Sequence, residues 1–226
     1  MKKYKLTDET IQVFGHTLHR IEALTDFFDI HKGDKGGFVE SEENLSQVGD
    51  CWVYVAAKVW GDAIVLDNAR VYCDAYVYGN ASICENAIIY GRVKVYGHTN
   101  VFGNARICDN AEVCGDAVIY DDAKVFGDAK VFGDTVIYGR AVIGGDAKVA
   151  NNSDYMVFKN WWSSGRYFTW TRSNNLWKVG CFYGTGEELI AKAYKDSKLS
   201  GRKYEQVVKY VESILKNRKK WQEMKK

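Results

Sequence analysis

Between residues 51 and 150 the chain places a branched apolar residue at every sixth position. Val or Ile fills all seventeen of these positions, from Val53 to Val149, and a small residue, usually Ala, stands two positions earlier. Gly, Asp or Asn commonly follows. A period of six predicts short strands joined by tight turns, with three hexads in each coil of a solenoid. Seventeen hexads give about six coils, which at the strand spacing of a sheet predict a solenoid about 27 Å long.

This pattern resembles the hexapeptide-repeat family, whose solenoid is the left-handed parallel β-helix. The resemblance implies that Val71, Ile89 and Ile107 lie one above another, 18 residues apart. Residues 36–54, which read GGFVESEENLSQVGDCWVY, also resemble the entry to the solenoid in bacterial and prophage hexapeptide proteins labelled as transferases. That label follows the fold, so it is a weak warrant for activity.

The sequence therefore predicts a mainly β protein in three parts. Residues 1–47 form an N-terminal β cap, with short strands up to residue 21 and a tight loop at 33–37. Residues 48–150 form the β-helix. Residues 151–226 form a small α+β domain, in which a three-stranded meander at 155–183 precedes two helices. Thr185 and Glu188 have the spacing of a capping box, which predicts that the first helix begins there.

Charge and cysteine usage restrict the cellular setting. The chain carries a net charge of +2, but residues 151–226 hold 16 basic and 7 acidic side chains. That surplus alone would favour nucleic acid, yet no nucleic-acid module matches, and we disfavour such a partner. At 18 residues per coil none of Cys84, Cys108 and Cys114 faces another cysteine, which predicts free thiols. Free thiols indicate a reducing cytoplasm, which would be that of the host cell if the protein is phage-encoded. No signal peptide, membrane-crossing apolar run or metal-ligand cluster is expected.

One face of the predicted prism carries no charge. Soluble monomers seldom expose a whole apolar face, so this face predicts self-association. By analogy with hexapeptide proteins we expect a homotrimer. The expected interface residues are Ile64, Leu66, Phe102, Val118, Tyr120, Val136 and Tyr138.

His98 is the only histidine of the hexad region, and it stands at a corner where most hexads have Asp or Asn. Hexapeptide acyltransferases use a histidine as general base, so the resemblance implies that His98 could deprotonate an acceptor with acyl-CoA as donor. An ordinary corner residue is the alternative. The unbroken hexads also lack the inserted loop that builds the acceptor pocket in those enzymes.

Aromatic and cationic residues are concentrated after the solenoid. Aromatic planes beside guanidinium groups suit stacking on a base and pairing with phosphate. The alternative is that the tryptophans form the core of a small domain. The candidate ligand-binding residues are Trp161, Trp162, Arg166, Tyr167, Trp170 and Trp177.

Three functions remain open. The first is a non-enzymatic, phage-like binding protein on an oligomeric scaffold, with an anti-defence role in which it sequesters or inhibits a host protein or a small anionic, nucleotide-like ligand. The second is an acyltransferase that uses His98 and acyl-CoA. The third is a purely structural β-helix. The uninterrupted solenoid favours a protein that is not an enzyme and has no cofactor or metal.

Overall fold

The computed structural model describes residues 2–223, with side chains described as far as residue 217. Residue contacts divide the chain into two compact units. The first contains residues 1–156 and 171–174, and the second contains 157–170 and the chain from 175 onward. The three-part division at residues 47 and 150 stays a prediction.

The hexads fold into two-residue strands whose second residue is the repeating Val or Ile. They are β4 (Trp52–Val53), β5 (Lys58–Val59), β6 (Ile64–Val65), β7 (Arg70–Val71), β8 (Tyr76–Val77), β9 (Ser82–Ile83), β10 (Ile88–Ile89), β11 (Lys94–Val95), β12 (Asn100–Val101), β13 (Arg106–Ile107), β14 (Glu112–Val113), β15 (Val118–Ile119), β16 (Lys124–Val125), β17 (Lys130–Val131), β18 (Val136–Ile137), β19 (Val142–Ile143) and β20 (Lys148–Val149). Every third strand pairs in parallel, and Ile89 lies between Val71 and Ile107, as predicted.

The core of the solenoid is the expected ladder of branched and small side chains. All seventeen Val and Ile positions, and the small residue two positions before each, are fully buried. Thr99 and Thr135 replace Ala in two hexads, and each hydroxyl donates to the carbonyl three residues earlier at 2.7 Å. These two buried polar groups are therefore satisfied inside their own coil.

Three parallel sheets form the sides. They contain β4-β7-β10-β13-β16-β19, β6-β9-β12-β15-β18 and β5-β8-β11-β14-β17-β20. Most corners have a Gly at positive φ, and a few have an acidic residue there, such as Asp109 at 64°. The Asp109 carboxylate accepts from the Gly127 N–H of the next coil at 2.9 Å, which offsets the strained conformation.

The N-terminal cap continues one side of the solenoid. Strand β1 (Tyr4–Val13) pairs antiparallel with β2 (His16–Ala23), which pairs with β3 (Lys35–Val39). Strand β3 then runs parallel to β5, with Val39 beside Val59, so this first turn spans 20 residues instead of 18. The expected loop at 33–37 is therefore wrong in its second half, which belongs to β3. Gly36 and Gly37 have no Cβ, so this strand can lie against the backbone of the solenoid.

Polar side chains close the open end of the first coil. Asn44 is buried in a short 3-10 helix (Glu42–Asn44), donates to the carbonyls of Gly61 and Ala63, and accepts from the backbone N–H of Ser41. The buried ammonium of Lys3 donates to the Cys51 carbonyl at 2.9 Å. These bonds replace the coil that is missing beyond the edge.

The chain after the solenoid forms a four-stranded sheet and two helices. The strands, in spatial order, are β21 (Tyr155–Lys159), β22 (Tyr167–Thr171), β23 (Leu176–Val179) and β24 (Phe182–Gly184), followed by α1 (Gly186–Asp196) and α2 (Lys198–Glu223). The predicted three-stranded meander is wrong in its last strand. The structure divides that strand into β23 and β24, which are joined by a turn at Gly180, where φ is +56°. The Thr185–Glu188 capping box is confirmed.

Candidate functional site

His98 lies at an exposed corner between β11 and β12. Its backbone N–H donates to the Gly115 carbonyl at 2.8 Å, and its ring has no hydrogen-bond partner among the described side chains. A general base is usually oriented by a second group on the other ring nitrogen, and the surrounding coils supply none here. The structure therefore leaves the ring accessible without holding it in one orientation.

Two of the six candidate ligand-binding residues are core residues. Trp170 is 0% exposed and Trp177 is 2% exposed, and the Trp170 indole N–H donates to the Asn175 side chain at 2.9 Å. Their rings are therefore not free to stack on a ligand, because the sheet has to bury its apolar face against the helices. Both residues border a small cleft of about 240 Å³.

The other aromatic candidates lie nearer the surface. Trp161 is 71% exposed, and the Lys203 ammonium lies 5.1 Å from its ring centre. Trp162 is half-buried, with its ring edge-on to Tyr204 at 5.1 Å. Tyr167 is 36% exposed beneath the Lys159 ammonium. They do not gather around one point, and their role in binding stays a prediction.

Arg166, the sixth candidate, borders another cleft of the second unit, which has a volume of about 560 Å³. The loop between β21 and β22, the turn between β23 and β24, and both helices surround this cleft. The loop is closed by two backbone bonds, from the Asn160 N–H to the Arg166 carbonyl and from the Gly165 N–H to the Asn160 carbonyl, both 2.8 Å. This closure brings Asn160 and Arg166 to the same wall.

Asn160 is 5% exposed, and its amide is only half satisfied. The amide nitrogen donates to the Tyr204 hydroxyl at 2.9 Å, whereas the amide oxygen has no partner. Burial raises the pKa of Tyr204 above its usual range, so this hydroxyl keeps its proton at neutral pH. Sequence reasoning missed both residues, because Asn160 reads as a loop residue and Tyr204 as one apolar position of a helix.

The charged residues of the cleft are two cations and one anion. Arg166 and Lys192 have no carboxylate within ion-pair distance among the described side chains, and Asp196 also borders the cleft. The thiol of Cys181 lies on its rim and is free, as are all six cysteines of the chain. Unpaired cations and neutral hydroxyls can hold a small anion.

Neither a metal centre nor a membrane span is found in the described part of the chain. The described residues hold no group of three or more His, Cys, Asp or Glu side chains placed to share a metal ion. Within residues 2–223, neither helix combines the length and the apolar character needed to cross a bilayer.

The solenoid defines the class of the protein, a left-handed parallel β-helix built from hexapeptide repeats. No family model matches the chain. It is similar to a protein of Escherichia coli (strain K12) named uncharacterized acetyltransferase YdcK, with 33% identity over 81 residues. The match covers 31% of this chain and 24% of that protein, so it concerns a minor part of each.

Proposed function

We propose that the chain is a non-enzymatic binding protein that holds a small anionic ligand in the cleft of its second unit. The observation that carries this proposal is that Arg166 and Lys192 border one cleft of about 560 Å³ and form no ion pair among the described side chains. Cations without an ion-pair partner in a concave site suit the binding of a small anion.

The solenoid serves as a scaffold in this proposal, and we infer that it forms a homotrimer. The uncharged face contributes three half-buried or exposed rings stacked one per coil, with centres 5.0 Å apart from Phe102 to Tyr120 and 5.7 Å from Tyr120 to Tyr138. Burying this face releases about 25 cal/mol per Å² of apolar surface. Three identical sites in one trimer would raise avidity for a partner that carries several copies of the ligand.

The resemblance of residues 36–54 to prophage proteins supports a setting in a host cell. There the protein would sequester a host factor or a nucleotide-like signal as part of an anti-defence role. The six free thiols support the cytoplasm as its location, because disulfides are rare there.

Isothermal titration with inorganic phosphate, in the millimolar range, tests the proposed site. We expect one saturable site per chain, lost in Arg166→Ala. Lys195→Ala is the matched control, because Lys195 is an exposed cation of α1 that does not border the cleft. If the wild type binds no phosphate, or if Arg166→Ala binds it as well as Lys195→Ala does, the proposal is refuted.

A second candidate function is acyl transfer with acyl-CoA as donor and His98 as general base. It is favoured by the similarity to the protein named an acetyltransferase and by the accessible ring of His98. Incubation with acetyl-CoA and mass detection of free CoA tests it. Consumption by the wild type that His98→Ala abolishes, with an unchanged melting temperature, would replace the binding proposal.

A further inference from the structure

We propose that the second unit binds single-stranded nucleic acid, whose bases stack on Trp161 and Tyr167 while its phosphates pair with the neighbouring lysines. These are Lys159 and Lys203, and none of the four residues borders the cleft of about 560 Å³, so the inference goes beyond the proposed function. It is carried by three features, namely two pairs of a ring and an ammonium group, the positive charge of the unit and the polar character of the β21–β22 loop.

Two exposed aromatic rings of the second unit each have an ammonium group beside them. The Lys203 ammonium lies 5.1 Å from the ring centre of Trp161, and the Lys159 ammonium lies 5.7 Å from that of Tyr167. A single strand presents one base and one phosphate in every nucleotide, so a ring beside a cation matches its repeating unit. A duplex keeps its bases stacked inside and offers no base face to such rings.

The backbone makes the two pairs neighbours. Lys159 is the last residue of β21 and Tyr167 is the first residue of β22, and the bond from the Asn160 N–H to the Arg166 carbonyl closes the hairpin at that point. The Trp161 N–H donates to the Lys159 carbonyl at 3.0 Å. Both rings and the cation between them are therefore held at one end of the hairpin by backbone hydrogen bonds.

The charge of the second unit is complementary to a polyanion. Its residues up to 217 include ten Lys and Arg side chains and five Asp and Glu side chains, whereas the first unit has 16 and 23. Lys159 and Lys203 form no ion pair among the described side chains. A phosphate can therefore pair with either lysine without displacing a protein carboxylate, and the counterions that it releases make such binding dependent on salt.

The polar character of the loop favours nucleic acid over other anionic surfaces. Ser163 and Ser164 are exposed, and Trp162 is half-buried, so Trp161 is the one large apolar side chain that protrudes from the described loop. A membrane-binding segment needs a continuous apolar face. Carboxylates of an acidic peptide would pair with the lysines but would give the rings nothing to stack on.

The lack of a known nucleic-acid module, which disfavours this partner at the level of sequence, does not bear on a surface of this kind. Modules that read sequence need a fixed set of side chains aimed at base edges. Stacking on a single strand needs only rings and cations, because every base has a π face.

Fluorescence anisotropy of a labelled oligothymidylate of about 16 nucleotides, titrated with the full chain, tests the inference. We expect saturable binding, which Trp161→Ala weakens about fivefold or more and Trp161→Phe largely retains, because stacking needs an aromatic ring. Phe14→Ala is the matched control, since Phe14 is an exposed ring of the first unit, and it should leave the affinity unchanged. Equal affinities of the Trp161→Ala and Phe14→Ala proteins would overturn the role of Trp161.

The salt dependence of the same titration tests the phosphate contact. Lys203→Ala should reduce the slope of log affinity against log salt concentration by about 0.7, the value for one phosphate contact on a single strand. Lys195→Ala, which removes an exposed cation of α1, should leave the slope unchanged. The same slope in both variants would contradict the phosphate contact of Lys203.

Three further probes identify the partner, namely an abasic oligomer of the same length, vesicles that contain phosphatidylserine, and polyglutamate. The thymidylate should bind about fivefold or more tightly than the abasic oligomer, and Trp161→Ala should close that gap. Equal affinity for the two oligomers would show that charge alone is responsible and would overturn the inference. It also fails if the thymidylate does not bind, or if vesicles or polyglutamate bind more tightly through Trp161, in which case the partner is a membrane or an acidic protein. Each of these results leaves the anion site of the cleft to its own titration with phosphate.

Discussion

Replacing Ile89 by Ala tests the vertical ladder that holds the solenoid together. Ile89 is fully buried and lies between Val71 and Ile107 of the adjacent coils. The substitution removes three carbon groups, which at about 0.8 kcal/mol each amounts to about 2.4 kcal/mol of lost transfer free energy. Strands above and below are fixed by backbone bonds, so the cavity closes poorly, and we expect a total loss of about 3–4 kcal/mol.

Urea unfolding followed by far-UV circular dichroism measures this loss. Ile88→Ala is the matched control, because Ile88 is the same residue type on the same two-residue strand but points outward and is only half-buried. It should cost less than about 1 kcal/mol. Equal losses at the two positions, or a loss below about 1 kcal/mol for Ile89→Ala, would show that the inward ladder is not the main source of stability.

Three further predictions concern the cap and the uncharged face. Gly37→Ala should destabilise the protein by about 3 kcal/mol or more in urea unfolding, because its Cβ would lie 2.7 Å from the Tyr54 carbonyl oxygen, a backbone atom that cannot move aside. The His16 ring and the Gly61 N–H hold the pKa of Glu40 below 4.5, so Glu40 stabilises the fold above that pH and stops doing so as pH falls through its folded pKa. Glu40→Gln should therefore cost up to about 1 kcal/mol at pH 7, with the difference closing below pH 4.5. Val118→Lys with Val136→Lys should convert trimers into monomers in sedimentation velocity.

Two of these variants have a control in the same unit. Gly139→Ala places a Cβ in open space at a φ of 64°, so it carries backbone strain alone and should cost about 1 kcal/mol. A Gly37→Ala protein that is no less stable than this control would contradict the close approach. Ile88→Lys with Val142→Lys adds the same two charges to another face and should leave the oligomer unchanged. If both double variants are monomers, the loss of the trimer is not specific to the uncharged face, and the predicted interface is contradicted.

The solenoid could be predicted because its fold depends on a local rule that the sequence repeats. Each hexad places one Val or Ile inward, and the register follows from counting. The N-terminal cap lacks that period, and its strand β3 joins the solenoid at an offset of 20 residues. This offset depends on how closely Gly36 and Gly37 approach the backbone of the next coil. No composition or periodicity signal encodes such a long-range steric fit.

The candidate site was only partly predictable, for a related reason. Arg166 was found by its aromatic surroundings and does border the cleft, whereas Trp170 and Trp177 from the same cluster are buried. Composition alone cannot separate aromatic residues that form a core from those that bind. Asn160 and Tyr204 are 44 residues apart, and only the packing of α2 beside the β21–β22 loop brings their side chains together.

Two buried asparagines differ in how completely their amides are hydrogen-bonded. Asn44 uses both ends of its amide, donating to two carbonyls and accepting from backbone N–H groups, so its burial serves the fold. Asn160 is buried to a similar degree but uses one end only. A partnerless buried acceptor costs about 1–3 kcal/mol, and an apolar residue of the same size would avoid that cost. Because this oxygen is shielded from the cleft itself, its cost belongs to the packing of the β21–β22 loop against α2, and the two unpaired cations are the groups that a negatively charged ligand would satisfy.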